Sequence, residues 1–302
     1  STLESDTPVA EYHTPKVDDL ALMSLTSGST GTPKSVMHTH SSIMTGLRGK
    51  LTGFPLRPEE TTLSWVPLDH VAGLVEYHIM PLLLGYDQVH VDAQVMAVPL
   101  AFLRLVSNRK VTFTFAPNAF LGMLHNAVRN ADKAELEGID LSALHCIVSG
   151  GEATVIDSAK AFLTCLGELG LPDNCIVPGF GMTETSAGCI FNRDFPRVDK
   201  GKKFASMGHC MNGLAIRIVD EAGNPVESGT VGELQLSGPV IFVGYYKNEK
   251  ANQESFTEVN GVRWFRTGDE GYVMPNGSLQ LTGRTKDTIL INGISYFCHE
   301  IE

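Results

Sequence analysis

Thr26-Ser27-Gly28-Ser29-Thr30-Gly31-Thr32-Pro33-Lys34 lies between two apolar runs, Leu20–Leu25 and Val36–His40. Its two glycines let the backbone curl until successive N–H groups point inward, which makes an anion nest. The hydroxyl side chains add donors and Lys34 adds a mobile positive charge. A Ser/Gly-rich surface turn has the same composition, but the placement between apolar runs and the Pro-Lys that follows favour a loop for a nucleotide triphosphate. The loop is not a Walker A element, which needs Gly, four residues and then Gly-Lys-Ser/Thr. Here Pro33 precedes Lys34 and the glycines are three apart, so P-loop NTPase and kinase readings lose their support.

On either side of this loop the chain alternates strand-like and helix-like segments. Leu20–Leu25, Thr61–Val66, Val111–Ala116, His145–Val148 and Cys175–Val177 read as strands. Pro99–Arg109, Ala119–Arg129 and Ile156–Leu169 carry apolar residues at helical spacing. Asn118 is placed to cap the second helix, and Asp157 adds charge at the start of the third. Such alternation predicts a layered α/β core over residues 1–205. From residue 206 to 285 the pattern becomes short runs divided by turns: Ala215–Val219, Gly232–Leu236, Val240–Tyr246, Gly271–Met274 and Ser278–Thr282, with Pro275-Asn276-Gly277 as a strong turn signal. This predicts a smaller β-rich subdomain, followed by a short tail, 286–302, that holds a further strand candidate, Thr288–Ile291.

The 302 residues suffice for two ordinary domains and a sizeable core. With 23 Lys and Arg against 34 Asp and Glu, the formal charge is −11. That disfavours sequence-independent nucleic-acid binding, so any phosphate site must be built locally. Six scattered cysteines without a CxxC pair, including the Cys298-His299 pair, read as structural thiols in a reducing compartment. Ser1-Thr2-Leu3-Glu4-Ser5-Asp6 has neither the basic start nor the apolar run of a signal peptide, so none is expected. The most apolar stretch, Val71–Tyr86, is interrupted by Glu76, His78, Pro81 and Gly85, so no membrane span is expected. The reading is a soluble, cytoplasmic protein. His38 and His40 lack ligand-spaced partners and are not expected to bind metal.

Taken with three later segments, the loop resembles the phosphate loop of the adenylate-forming superfamily, which includes acyl-CoA synthetases, fatty-acyl-AMP ligases, luciferases and peptide-synthetase adenylation domains. Gly179-Phe180-Gly181-Met182-Thr183-Glu184-Thr185 is similar to the family's aromatic-Gly-x-Thr-Glu motif, and Arg266-Thr267-Gly268-Asp269 to its ribose segment. Gly283-Arg284-Thr285-Lys286-Asp287, followed by Ile291-Asn292-Gly293, resembles its hinge. The resemblance implies ATP-dependent activation of a carboxylic acid to an acyl-adenylate, then transfer to the thiol of CoA or of a phosphopantetheine carrier.

The roles implied by the resemblance follow residue by residue. Thr26, Ser27, Gly28, Ser29, Thr30, Gly31 and Lys34 would cradle the β- and γ-phosphates. Lys34, Thr183 and Glu184 would form the catalytic set, with Thr183 at the α-phosphate and Glu184 on Mg²⁺. Phe180 would stack on adenine, where the family usually has Tyr. Gly179, Gly181 and Met182 would flank it, with Gly151 and Glu152 of Ser149-Gly150-Gly151-Glu152 on the opposite side. Asp269 and Arg284 would hold the ribose, and Lys286 would be the hinge. His70, Val71 and Gly150 would line the acid pocket, within Trp65-Val66-Pro67-Leu68-Asp69-His70-Val71-Ala72-Gly73. Amino-acid-selecting members carry Asp where Val71 stands, and an apolar residue there cannot match a buried ammonium. The expected acid is therefore fatty or aryl, with the Trp-x-Pro-x-x-His spacing leaning toward fatty acids. Compared with full-length members, the chain lacks most of the segment before the loop and the C-terminal lid with its lysine. It is therefore expected to be the core of a longer synthase, poorly active as a fragment. A non-catalytic nucleotide- or acyl-adenylate-binding module is the alternative.

Overall fold

In a computed structural model, the structure describes residues 14–26, 33–54, 57 and 59–284, and the backbone of 288–291 and 294–297. In chain order the elements begin with β1 (Leu20–Thr26), β2 (Lys34–Thr39), α1 (His40–Gly53), β3 (Thr61–Ser64), α2 (Met80–Leu84), β4 (Asp87–His90), α3 (Pro99–Asn108) and β5 (Phe113–Phe115). Next come α4 (Asn118–Asn130), α5 (Lys133–Leu136), β6 (Cys146–Ser149), α6 (Ile156–Gly167), β7 (Ile176–Met182), β8 (Ala187–Phe191) and β9 (His209–Cys210). The chain continues through β10 (Ala215–Val219), β11 (Gly232–Ser237), β12 (Gly244–Tyr245), α7 (Glu249–Ser255), β13 (Phe256–Val259), β14 (Val262–Val273), β15 (Leu279–Arg284), β16 (Thr288–Ile291) and β17 (Ile294–Phe297).

A seven-stranded sheet in the order β4-β3-β5-β6-β7-β8-β9 forms the centre. From β4 to β7 neighbouring strands run parallel, and β8 and β9 add an antiparallel edge. A parallel strand is covered on both faces, so its sequence is continuously apolar rather than alternating. Cys146-Ile147-Val148 of β6 is an example, buried throughout. The amphipathic helices α3, α4 and α6 pack their apolar faces together through Phe102, Phe120 and Phe162, against strand residues Leu63, Ile147 and Ile176. Phe102 and Phe120 meet edge to face with centroids 5.0 Å apart.

The second sheet is antiparallel, in the order β10-β11-β14-β13, with β15 also on β14. Its own core gathers Ile218, Leu234, Leu236, Phe242, Phe265 and Leu279. The expected layered α/β architecture with a β-rich part is what the chain forms. β12 leaves the second sheet's neighbourhood to pair with β2, completing a three-stranded β1-β2-β12 sheet.

Several expectations are corrected. Of the predicted strand Val240–Tyr246, two residues, Gly244 and Tyr245, form β12. Asn118 does not cap α4: Pro117 holds that position, and the Asn118 Oδ1 accepts from the Val155 N–H at 3.0 Å, tying α4 to the start of α6. The interrupted apolar stretch becomes a π-helical segment, Ala72–Ile79, running into α2. Among the described residues no helix is long and apolar enough to cross a membrane, and no cluster of three or more His, Cys, Asp or Glu could hold a metal ion. Cys146, Cys175 and Cys189 are buried free thiols; Cys298 and His299 lie outside the described residues.

Phe162 is 1% exposed at the centre of the helix layer. Phe162→Ala is expected to lower unfolding free energy by about 3–5 kcal/mol, read by urea denaturation, because the cavity left there cannot fully collapse.

Candidate functional site

In an open parallel sheet, the carboxyl ends of the strands leave a crevice where ligands collect. Here Phe115 ends β5, Gly150 and Gly151 follow β6, and Phe180–Met182 run into Thr183 and Glu184 at the end of β7. These residues line one cavity of about 1000 Å³. His70, Val71, Ala72 and Glu76 form its wall on the π-helical side. Opposite stand Tyr245, Phe265, Thr267, Gly268 and Arg284, with Thr26 and Lys34 at the ends of β1 and β2.

The chain turns sharply at Thr183–Thr185, and that turn is expensive to hold. Ser186 and Ala187, neither a glycine, follow it with φ of 53° and 76°. Buried side chains offset the strain. The His38 Nε2–H donates to the Thr183 carbonyl at 2.7 Å, and its Nδ1 accepts from the Ser186 hydroxyl at 3.0 Å. Burial pushes the His38 pKa down to about 4, so the imidazole is neutral with that tautomer. Lys50, fully buried on α1, donates to the Ser186 carbonyl at 2.9 Å. The Thr185 hydroxyl donates to the Ala187 carbonyl at 2.7 Å and accepts from the Met182 N–H.

Lys50 also faces Glu76, with Nζ 3.6 Å from Oε1. The same oxygen accepts from the Gly188 N–H at 2.8 Å. Burial pushes Lys50 down and Glu76 up, and their mutual attraction opposes both shifts. A side chain at Gly188 would strike Glu76 Oε1 at 2.8 Å, so the missing Cβ permits this contact. A Cβ at Gly181 would collide with the Ala187 carbonyl.

On the opposite side, the Tyr245 hydroxyl donates to Glu184 Oε1 at 2.8 Å, and the Lys34 ammonium lies 4.8 Å from the centroid of the Tyr245 ring. Glu184 is 4% exposed. Its Oε2 makes no hydrogen bond among the described residues. Asp269, 6% exposed on β14, accepts from the Arg284 Nε at 3.1 Å through Oδ1. Its Oδ2 is buried without a hydrogen-bond partner among the described residues, and burial pushes its pKa up. A buried acceptor left unsatisfied is costly, and an alcohol donor from a ligand would satisfy it.

The structure therefore brings together Thr26, Lys34, His70, Val71, Gly150, Gly151, Gly179, Phe180, Gly181, Met182, Thr183, Glu184 and Arg284 around one cavity. Asp269 sits behind Gly268 and Arg284. Glu152 points elsewhere: its carboxylate accepts from the Ala119 N–H at 2.7 Å at the start of α4. Ser27, Gly28, Ser29, Thr30, Gly31 and Lys286 lie outside the described residues. Sequence reading missed Glu76, Lys50, Tyr245 and the role of His38. Only the buried glutamate had a visible signal, a charge inside an apolar stretch.

The AMP-binding enzyme family signature matches residues 2–246. The chain belongs to the AMP-binding enzyme family. It is 46% identical over 291 residues to aspulvinone E synthetase melA of Aspergillus terreus, covering 95% of this chain and 31% of that protein. The chain thus spans about a third of the length of the curated relatives it matches. Among solved structures, the McyG A-PCP complexed with phenylalanyl-adenylate is 35% identical, with a TM-score of 0.88, and covers 98% of this chain and 53% of that one. The adenylation domain of a keto acid-selecting NRPS module bound to keto acyl adenylate is 33% identical, with a TM-score of 0.84, and covers 96% and 56%. The adenylate-forming resemblance read from the motifs is thereby established for this AMP-binding domain.

Two outcomes follow for the buried partners of the turn. In the unfolded chain His38 takes up a proton near 6.5, whereas the folded chain refuses it until about 4. Its contribution is therefore complete above pH 6.5 and is lost as the pH falls from 6.5 toward 4. Unfolding free energy should drop by about 1–2 kcal/mol more between pH 7 and pH 5 in the wild type than in His38→Gln, measured by urea denaturation. Lys50→Met should cost about 3–5 kcal/mol by leaving Glu76 buried and unpaired, and adding Glu76→Leu should restore part of it, since the Ser186 carbonyl and the Gly188 N–H still lose their partners.

Proposed function

We propose that this domain activates a carboxylic acid as its acyl-adenylate and serves a larger synthase. Support comes above all from one arrangement: among the described residues, Thr26, Lys34, Gly179–Glu184, Arg266–Gly268 and Arg284 of the four motifs line a single cavity with His70, Val71 and Gly150. The substrate carboxylate attacks the α-phosphorus of ATP, and the bond to pyrophosphate breaks. A thiol, from CoA or from the phosphopantetheine of an acyl- or peptidyl-carrier partner, then attacks the acyl carbon and AMP leaves.

In this reading Thr26–Gly31 and Lys34 hold the β- and γ-phosphates and stabilise the charge that builds on the departing pyrophosphate. Thr183 contacts the α-phosphate. Phe180 packs on adenine, flanked by Gly179, Gly181 and Met182, with Gly151 and the Glu152 backbone opposite. The unpartnered Asp269 oxygen accepts from ribose hydroxyls beside Arg284, and Lys286 serves as the hinge. Residues 1–205 act as the α/β core, 206–285 complete the nucleotide site, and 286–302 lead toward a lid.

One carboxylate with a spare oxygen suits Mg²⁺, which is commonly held by one or two carboxylates together with substrate phosphates. Glu184 is the residue that would hold it. When bound, the ion would offset negative charge on the phosphates. Glu184 itself is oriented by Tyr245 and by the turn that His38 and Lys50 hold.

The acid pocket between His70, Val71, Ala72, Phe115, Val148 and Gly150 favours an acid without an α-ammonium. The one carboxylate in that wall, Glu76, is already matched by Lys50. The keto acyl adenylate held by one solved relative, which has no α-ammonium, supports this reading, whereas the phenylalanyl-adenylate held by another is an α-amino acyl adenylate. Operation in the cytoplasm is part of the same proposal.

The test is ATP–pyrophosphate exchange by the protein across aryl, keto, fatty and α-amino acids. Exchange should be greatest with aryl or keto acids, and preference for an α-amino acid would overturn the assignment. His70→Ala should raise the half-saturating acid concentration several-fold, by about three- to tenfold, and leave ATP affinity nearly unchanged. Asp269→Ala should instead weaken ATP binding by about tenfold in calorimetry.

A further inference from the structure

Tyr245 contacts both Glu184 and Lys34. It belongs to the segment read from sequence as a plain strand, yet its side chain is 5% exposed and lines the cavity. Its backbone is clamped from α7: the Asn252 Oδ1 accepts from the Tyr245 N–H at 2.6 Å, and the Asn252 Nδ2 donates to the Tyr245 carbonyl at 3.1 Å. Pairing of β12 with β2 sets Tyr245 opposite Val36, two residues beyond Lys34. Phe242 packs against the ring with centroids 4.8 Å apart. The backbone is thus clamped, and the ring is packed, before a ligand arrives.

Two chemically distinct groups use the fixed ring. The hydroxyl occupies Glu184 Oε1 at 2.8 Å, so Oε2 is the carboxylate oxygen left for a cation. The aromatic face attracts the Lys34 ammonium, 4.8 Å from its centroid. Without the ring, this long side chain would have several rotamers to lose each time phosphate bound.

We propose that Tyr245 is a positioning residue for ATP, presenting the Glu184 carboxylate to the divalent cation through its hydroxyl and preorganising the Lys34 ammonium for phosphate through its ring. This rests on the reading of Glu184 as the metal-holding residue and Lys34 as the phosphate lysine. The two tasks separate by substitution. Tyr245→Phe keeps the ring and its packing but removes the hydroxyl; Tyr245→Leu removes both.

The experiment measures ATP dissociation constants by calorimetry twice, in EDTA and in excess Mn²⁺, for wild type, both Tyr245 variants and Glu184→Gln. The ratio of the two constants isolates the contribution of the cation, and thermal unfolding reports the fold. Tyr245→Phe should reduce that ratio by about tenfold while leaving the EDTA constant within about twofold. Tyr245→Leu should in addition weaken ATP binding in EDTA by about threefold. If Glu184→Gln reduces the ratio and Tyr245→Phe does not, the Tyr245 inference fails alone. If Glu184→Gln leaves the ratio unchanged, the metal reading of Glu184 fails and takes this inference with it. Equal losses in both constants for the two Tyr245 variants would also overturn it, since they would mark a purely structural role.

Discussion

The buried Lys50 ammonium is the constraint around which the site is organised. One cation, wholly removed from water, holds the carbonyl of a residue in left-handed backbone and faces a carboxylate in the pocket wall. A buried ion pair is poor evidence for stability, because the desolvation of both charges offsets their attraction. Its value here is geometric. Ser186 and Ala187 adopt backbone angles that L-residues avoid, and they do so one residue after the two proposed to meet the α-phosphate and the metal. His38 and Lys50, contributed by the strand and helix that follow the phosphate loop, make that conformation the satisfied one.

This arrangement joins regions far apart in sequence. β2 begins with Lys34 and carries His38; α1 carries Lys50; β7 leads into the turn; the π-helical segment brings Glu76. π-Helical segments recur at functional sites because the extra residue per turn displaces side chains from their usual register. Here the segment places Glu76 against both Lys50 and the Gly188 N–H. The cavity wall and the turn consequently share a hydrogen-bonded partner.

The sequence disclosed the fold wherever local pattern carried it. Continuous apolar runs announced the parallel strands, helical spacing announced α3, α4 and α6, and Ala215–Val219 was found with the bounds of β10. Motif residues were legible because their types and order are unusual. Their buried supports were not. Lys50, His38 and Tyr245 are ordinary letters whose meaning depends on partners distant in sequence, such as Ser186 for His38, 148 positions away. Glu76 read as an interruption of an apolar stretch; burial with a counter-charge is a tertiary fact. Asn118 shows the converse: a side chain suited to capping its own helix is used by Val155 instead, since a long-range partner competes with the local one.

The pairing of β12 with β2 bears on how the polypeptide is made. Strand β2 finds its hairpin partner β1 within a few residues, but the strand on its other side is supplied only at Gly244–Tyr245. A ribosome synthesising this chain must therefore extend it by about two hundred residues before the lysine-bearing sheet can close. Until then β2 has an open edge, the kind of surface that invites mispairing between nascent chains. The β1-β2-β12 sheet is thus completed only after the parallel strands of the central sheet have been synthesised.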